Sequence, residues 1–369
     1  MAEAREEATK EAKAWPKVAI IVLNWNGWRD TIECLESLQR ITYPNYQVIV
    51  VDNGSTDGSV EKIKAWARGE IPVVSKFFEY DSTTKPVQWV EYDHSQAKVG
   101  GIVEEEAKLC SLPSNRRLVI ILNKDNLGFA AGNNVAIRYA LQRGYPYISL
   151  LNNDTVVDPA WLTILVSTLQ AKPSIGAVGP KIVYKEMPRD VWFAGMKVIV
   201  PLGRVRHITF KEEKNRNLSG IKPTDALTGC AFVAKSEVFK ENLFDEDYFL
   251  VYEDVDFFWK MKRKGIVLAV NLDSKVYHSR GSSFSRLSNT KQHRYTYYYA
   301  KNRLLFVKKN GSCAEKAVFF SIYTVSRFPC FLIRLVKGQA NSVLIEIQAL
   351  RDFLFKRWGW YDKQRANQT

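Results

Sequence analysis

Val18-Ala-Ile-Ile-Val-Leu-Asn-Trp-Asn-Gly27 and Gln47-Val-Ile-Val-Val-Asp-Asn-Gly-Ser-Thr-Asp57 decide the fold. Val18–Leu23 and Val48–Val51 are unbroken apolar runs rich in β-branched residues, and each ends abruptly in polar ones. Such runs read as strands buried on both faces, the condition of a parallel sheet. Between them Ile32, Leu35 and Leu38 recur at helical spacing, and a second helix is predicted over residues 59–67. The rhythm returns in strands at 118–122 and 147–151. A helix follows Asn126-Leu-Gly-Phe-Ala-Ala-Gly-Asn-Asn134, and Pro159 can open another. Strand and helix in alternation predict an α/β fold: a doubly wound, mostly parallel sheet with flanking helices.

Residues 1–16 read as a charged helical arm without the apolar segment of a secretory signal. Residues 17–285 read as the main domain. An insertion at about 70–115 interrupts it, with short strands expected at 73–80 and 87–92 and a helix at 104–112. Further strands are expected at 178–183, at 266–270 and ending at His278, with a surface hairpin region over 187–217. Residues 286–369 read as a basic, aromatic, helical extension.

The chain has 369 residues, of which 46% are hydrophobic and 25% charged. These are ordinary globular values and exclude wholesale disorder or a collagen-like chain. The net charge of +14 is uneven: residues 291–369 carry 15 Lys and Arg against 4 Asp and Glu. A basic extension implies an anionic partner, membrane or nucleic acid. In it Tyr295, Tyr297, Tyr298, Phe319 and Phe328 interleave with Lys301, Arg303, Arg327 and Arg334. That pattern suits helices lying among lipid headgroups, or a helical subdomain packing its aromatics on the core. No recognition motif supports nucleic acid. No window reaches the run of about 18 uncharged apolar residues that spans a bilayer; residues 317–336 come nearest, with Arg327, Pro329 and Arg334 inside. The five scattered cysteines form no Cys-x-x-Cys, so neither a zinc site nor a disulfide framework is expected, and the compartment reads as reducing.

Strands of a doubly wound sheet deliver functional residues at their carboxyl ends. Three end in polar residues here: Asn24 and Asn26, Asp52 and Asn53, Asn152 and Asp154. No glycine-rich phosphate loop follows the first strand, so a diphosphate needs a divalent metal or basic side chains. Asp154 can hold a hard cation through one oxygen, or cap the turn before Pro159. Asp52 can accept the imide N–H of uracil or thymine, or close a turn. Trp25 can stack on a base or sit in the core. Glu253-Asp254 lies among Tyr248, Phe249, Tyr252, Phe257, Phe258 and Trp259, a setting that raises carboxyl pKa values and suits a general base; a helix N-terminus would also favour these acids. His278 can ligate a metal. Lys235, Arg280, Arg286 and Arg294 are possible diphosphate partners.

Taken in order, these landmarks resemble the family 2 glycosyltransferases of GT-A fold, most closely their rhamnosyltransferase-like, non-processive members. The resemblance runs through 18–27, 50–57, 126–134, Leu151-Asn-Asn-Asp-Thr155 in the place of an Asp-x-Asp motif, Thr228-Gly-Cys-Ala-Phe-Val-Ala-Lys235 and Tyr252-Glu-Asp-Val-Asp256. It implies a GT-A catalytic domain over 17–285 and transfer of one sugar, with inversion, from a UDP- or dTDP-sugar. The acceptor would be a hydroxyl of a lipid-linked glycan or polyprenyl phosphate, in surface polysaccharide or glycoprotein glycan assembly. It implies nucleotide contacts from Asn24, Trp25, Asn26, Asp52, Asn126, Gly128, Asn152 and Asn153, and Mg2+ or Mn2+ on Asp154 and His278. Asp254 would be the base, with Glu253 beside it. Asn152 stands where the motif has its first Asp, which leaves room for a catalytically weak nucleotide-sugar-binding protein. An enzyme peripheral to an anionic membrane, on its cytoplasmic face, is expected.

Overall fold

A computed structural model describes residues 15–211, 219–279 and 289–357. Residues 1–14 of the arm, and Arg280 and Arg286, lie outside the described residues. The first half runs β1 (Val18–Asn24), α1 (Trp28–Leu38), β2 (Tyr46–Asn53), α2 (Ser59–Arg68), β3 (Gln88–Asp93), α3 (His94–Lys98), α4 (Val103–Cys110), β4 (Arg117–Asn123), α5 (Gly128–Gln142) and β5 (Tyr147–Asn152). Its strands are parallel in the order β5-β1-β2-β4-β3. The winding therefore reverses at β1, the place where α/β sheets open a crevice at their carboxyl ends. Residues 18–22 have no exposed surface at all, which explains their unbroken apolar run.

The second half adds β6 (Thr155–Val157), α6 (Trp161–Ala171), β7 (Ile175–Tyr184), β8 (Asp190–Phe193), β9 (Met196–Ile199), β10 (Arg204–His207), β11 (Phe210–Lys211), β12 (Ile221–Pro223), β13 (Ala231–Lys235), α7 (Ser236–Glu241), α8 (Glu253–Arg263) and β14 (Val267–His278). β13 slots antiparallel between β5 and β7. β14 runs parallel to β7 and antiparallel to β6, with His278 opposite Thr155. That register brings the end of β14 to the carboxyl end of β5.

Two local expectations change. Residues 73–80 form no strand: they meet no ladder partner, and Val74 is almost wholly exposed. The second strand expected there, over 87–92, does form, as β3, an edge strand parallel to β4. The two strands expected around 266–278 are one strand, bulged between Asn271 and Lys275. Its polar interruption binds α6: Asn271 Nδ2 donates to Thr168 Oγ1 (2.9 Å) and Ser274 Oγ to the Trp161 carbonyl (3.0 Å).

The extension folds as α9 (Asn289–Asn310), α10 (Cys313–Val336) and α11 (Ala340–Leu354). On α9, Tyr297, Tyr298, Leu304, Leu305 and Phe306 are buried, so its aromatics serve packing. α10 differs. It is long and apolar enough to cross a membrane by length and composition, against the expectation from its charges. Arg327 and Arg334 do not interrupt its apolar surface because both turn inward to Glu346 of α11. The outward face exposes Val325 (76%), Phe328 (71%) and Val336 (89%).

Glu36 of α1 fastens two helices and the inserted region together. It is fully buried and accepts from Trp66 Nε1 (2.8 Å), Lys85 Nζ (2.9 Å) and Arg40 Nη1 (2.9 Å). Removing one side of such a network strands buried charge. Glu36→Ala is expected to lower unfolding free energy in urea by about 3–5 kcal/mol. The double variant Glu36→Leu with Lys85→Met should recover part of that loss.

Candidate active site

The carboxyl ends of the parallel strands lie side by side: Asn24 opposite Asp52, Asn53 opposite Asn123, Leu23 opposite Asn152. Asn24 is fully buried. Its Nδ2 donates to Asp52 Oδ1 (2.8 Å) and Ser55 Oγ (3.1 Å), and its Oδ1 accepts from Thr31 Oγ1 (2.8 Å). The other Asp52 oxygen accepts from Ser55 N (2.9 Å). Asn26, in a left-handed conformation (φ 51°), donates its N–H to Ser55 Oγ (2.9 Å) and accepts from Thr56 N (2.7 Å). Asn126 Oδ1 accepts from Asn53 Nδ2 (2.9 Å) and Gly128 N (2.8 Å), while Asn153 Nδ2 donates to Thr31 Oγ1 (3.0 Å). These asparagines knit the strand-end loops into one rim. Trp25 is half-buried, with the Arg294 guanidinium 6.0 Å from its ring.

Gly128 opens α5 with φ +82°, and a Cβ there would lie 2.4 Å from the Phe249 carbonyl oxygen. Its bareness lets Phe129 N reach that same oxygen (2.7 Å). The rim is thereby tied to the loop that carries the acidic pair.

Beside the rim opens a cleft of about 530 Å3. Asn152, Asp154, Gly229, Glu253, Asp254 and His278 all line it. Asn24, Trp25, Asn26, Asp52, Asn126, Gly128 and Asn153 do not; they flank it along the strand ends. Asp154 and His278 are nearly buried, and Oδ1 lies 3.2 Å from Nε2. The imidazole stacks on Trp192, centroids 4.9 Å apart. Burial opposes charge on His278, yet neighbouring Cys230 and Asp154 outweigh it and hold the ring proton well above the usual imidazole range. No group of three or more His, Cys, Asp or Glu gathers to hold a metal among the described residues. One carboxylate and one imidazole, side by side in a cleft, suit Mg2+ or Mn2+ that displaces the imidazole proton and takes its other ligands from a diphosphate and water.

The acidic pair starts α8. Asp254 is anchored: Oδ2 accepts from Gly229 N (2.8 Å) and Oδ1 from Val255 N (2.7 Å). Burial raises its pKa, and those two N–H groups pull against the rise. Glu253 has less support, from its own backbone N–H alone. Its Oε2 is buried without a hydrogen-bond partner, and burial together with the Asp254 charge pushes it well above the usual carboxyl range. Both carboxyls are pushed up, Glu253 further than Asp254, and a separation of this sign favours Asp254 as the base of the pair.

The residues before this pair are strained. Val251 (φ 71°) and Tyr252 (φ 76°) are both left-handed. Asn302 of α9 holds them, its Nδ2 donating to the Leu250 and Val251 carbonyls (2.8 Å each), and Tyr252 OH donates to the Gly203 carbonyl (2.8 Å). The sequence reading missed Asn302, and also Trp192, His207, Tyr295 and Tyr299, which line the cleft. The four-residue spacing of Tyr295 and Tyr299 on a helix was the available signal. Lys235 is no diphosphate partner. It pairs with Tyr147 at the amino end of β5, and its Nζ donates to the Pro173 carbonyl (2.5 Å).

A family profile described as Glycosyl transferase family 2 matches residues 19–80 and 92–243. The O-antigen biosynthesis protein RfbC of Myxococcus xanthus is 26% identical over 282 residues, 73% of this chain and 18% of that protein. Hyaluronan synthase 2 of Rattus norvegicus is 26% identical over 156 residues, 40% of this chain and 25% of that one. The matches to the curated relatives span about a quarter or less of those proteins' length. Among solved structures, the mannosyltransferase PcManGT from Pyrobaculum calidifontis, in complex with GDP-Man and Mn2+, superposes with TM-score 0.51 at 14% identity, over 96% of this chain and 94% of that one. That likeness concerns the fold.

Two outcomes test the site's construction. Asn302→Ala leaves two strained carbonyls without their donor, at a cost of about 1–3 kcal/mol; faster amide exchange over residues 250–253 than elsewhere in the domain is expected. Glu253 has its folded pKa raised above the unfolded value, so it penalises the fold as pH rises above the usual carboxyl range, about 4.3. Glu253→Gln should raise the melting temperature at pH 7 and leave it little changed at pH 4.

Proposed function

The chain belongs to glycosyltransferase family 2, and from that premise we propose that it transfers a single sugar, with inversion, from a UDP- or dTDP-sugar to an acceptor hydroxyl. The observation that carries this reading is convergence: the anchored Asp254 and the Asp154–His278 pair face one cleft at the carboxyl ends of the sheet. The rim beside it would take the nucleotide. Asp52, held by Asn24 and Ser55, would meet the base imide with Trp25 alongside, and Asn152 the ribose. Asn26, Asn126, Gly128 and Asn153 would shape the loops that receive it.

Mg2+ or Mn2+ held by Asp154 and His278 would neutralise charge on the departing diphosphate as a Lewis acid. Asp254 takes the proton of the acceptor hydroxyl. The oxygen's electron pair forms the bond to the anomeric carbon while the bond to the diphosphate oxygen breaks, and the centre inverts. Asn152, in place of a first Asp, favours the second reading, a nucleotide-sugar-binding protein without turnover.

The acceptor proposed is a lipid-linked glycan or polyprenyl phosphate, met by a chain peripheral to the cytoplasmic face of an anionic membrane. The exposed apolar face of α10 supports this, and so does the extension's charge, since anionic lipid contributes about 1 kcal/mol per basic residue near the surface. With Arg327 and Arg334 clamped to Glu346 on its inner face, α10 suits lying in the interface.

Donor turnover is measured with UDP-, dTDP- and GDP-sugars and either metal. One nucleoside diphosphate should be released in a metal-dependent way, and Asp154→Ala should abolish that release. Asp254→Asn should lower transfer by about 10²–10⁴-fold while nucleotide binding persists. Binding without turnover in wild type, in the presence of a prenyl-linked sugar, would leave only the second reading. Separately, Val325→Asp with Phe328→Asp should release the protein from anionic vesicles in flotation; unchanged flotation would remove α10 from the membrane contact.

A further inference from the structure

A second chamber, of about 300 Å3, lies between α9, α10 and α11, and the mechanism above makes no use of it. It shares a wall with the cleft. Tyr295 and Tyr299 line both, their rings stacked at 5.8 Å, and Tyr299 also packs against Tyr252 at 5.7 Å, next to the acidic pair. Arg303, Arg327 and Arg334 enter it against one acid, Glu346. Arginines do not lose their protons, so three positive charges face one negative.

These guanidiniums are fixed in place. Arg303 donates to the Leu202 (2.6 Å) and Gly203 (3.1 Å) carbonyls. Arg327 lies over the Tyr323 ring (4.8 Å) and reaches one Glu346 oxygen at 3.3 Å, while Arg334 pairs with the other. Arg327 keeps a buried Nε–H without an acceptor. Glu346 thus occupies the place of an anion and neutralises only part of the charge. Planar guanidiniums match phosphate oxygens two at a time, and partial burial strengthens their pull.

We propose that this chamber takes the phosphate or diphosphate of the acceptor. The group would be held there while a sugar hydroxyl of a lipid-linked glycan reaches Asp254 along the Tyr295–Tyr299 wall; a polyprenyl phosphate without a sugar would have no hydroxyl to offer. The prenyl chain would then follow the apolar outer face of α10, the same helix that supplies Arg327 and Arg334. This rests on the transferase reading and deepens it.

The test is isothermal titration of the full chain with inorganic pyrophosphate, geranyl diphosphate and geraniol, without donor and with EDTA present. Geranyl diphosphate should bind more tightly than pyrophosphate, and geraniol should not bind. Arg327→Gln removes a charge-assisted partner and should weaken geranyl diphosphate about tenfold. Glu346→Gln removes the competing carboxylate and should tighten it severalfold; a folding defect cannot move the two variants in opposite directions. Equal binding of pyrophosphate and geranyl diphosphate would keep a phosphate site and overturn its assignment to the acceptor. Absence of binding, or affinities unmoved by either variant, would overturn the chamber altogether. Because no donor is present, intact binding beside failed turnover would count against the transferase reading alone.

Discussion

Where a parallel sheet ends, its last side chains and loop amides must find partners, or the crevice beyond them collapses or floods. In this chain a run of asparagines meets that demand. Asn24 spends its whole amide on Asp52, Ser55 and Thr31, and Asn53 and Asn126 bind one another and the start of α5. The remaining structure is hung from this rim. Gly128 lets α5 touch the loop before α8, and β13 crosses into the sheet so that Gly229 can anchor Asp254. β14 ends opposite Thr155 and so delivers His278 to Asp154. A functional cleft results because four strand ends and two crossing strands are satisfied by one another.

The acidic pair is held by strain as well as by hydrogen bonds. Two consecutive left-handed residues, one of them β-branched, cost of order 1–3 kcal/mol each. They persist because α9 over-determines them: Asn302 grips two carbonyls, and Tyr252 OH reaches Gly203, whose carbonyl Arg303 also holds. The helical extension is therefore part of what builds the candidate site, and its basic residues are divided between buttressing the core and facing outward. Burial beside Asp254 pushes the Glu253 carboxyl well above its ordinary range, a cost to the fold at neutral pH.

The parallel half of the fold was legible in the sequence because a doubly buried strand has to be largely apolar, and 18–23, 48–51, 118–122 and, but for Ser149, 147–151 are. Polar residues at the ends of those runs marked the rim, and the Glu-Asp step among aromatics marked the cleft. Three things were not legible. The asparagine partners are set by register between strands far apart in sequence, so the hydrogen bonds of Asn24 to Asp52, Ser55 and Thr31 could not be read there. The bulge in β14 breaks the apolar pattern for the sake of α6, and one strand read as two. The extension's aromatics and arginines look alike in composition, although Phe306 is buried, Phe328 exposed, and Arg327 turned inward; helical phase against α9 and α11 decides which.

The central claim is that Asp154 and His278 share one cation against a bound diphosphate. Anomalous diffraction from crystals grown with Mn2+ and UDP tests it directly. A manganese peak within about 2.2 Å of both Asp154 and His278, with the diphosphate on its far side and the base toward Asp52, is the expected result. A nucleotide bound with no manganese at that pair, or manganese bound elsewhere on the chain, would contradict it.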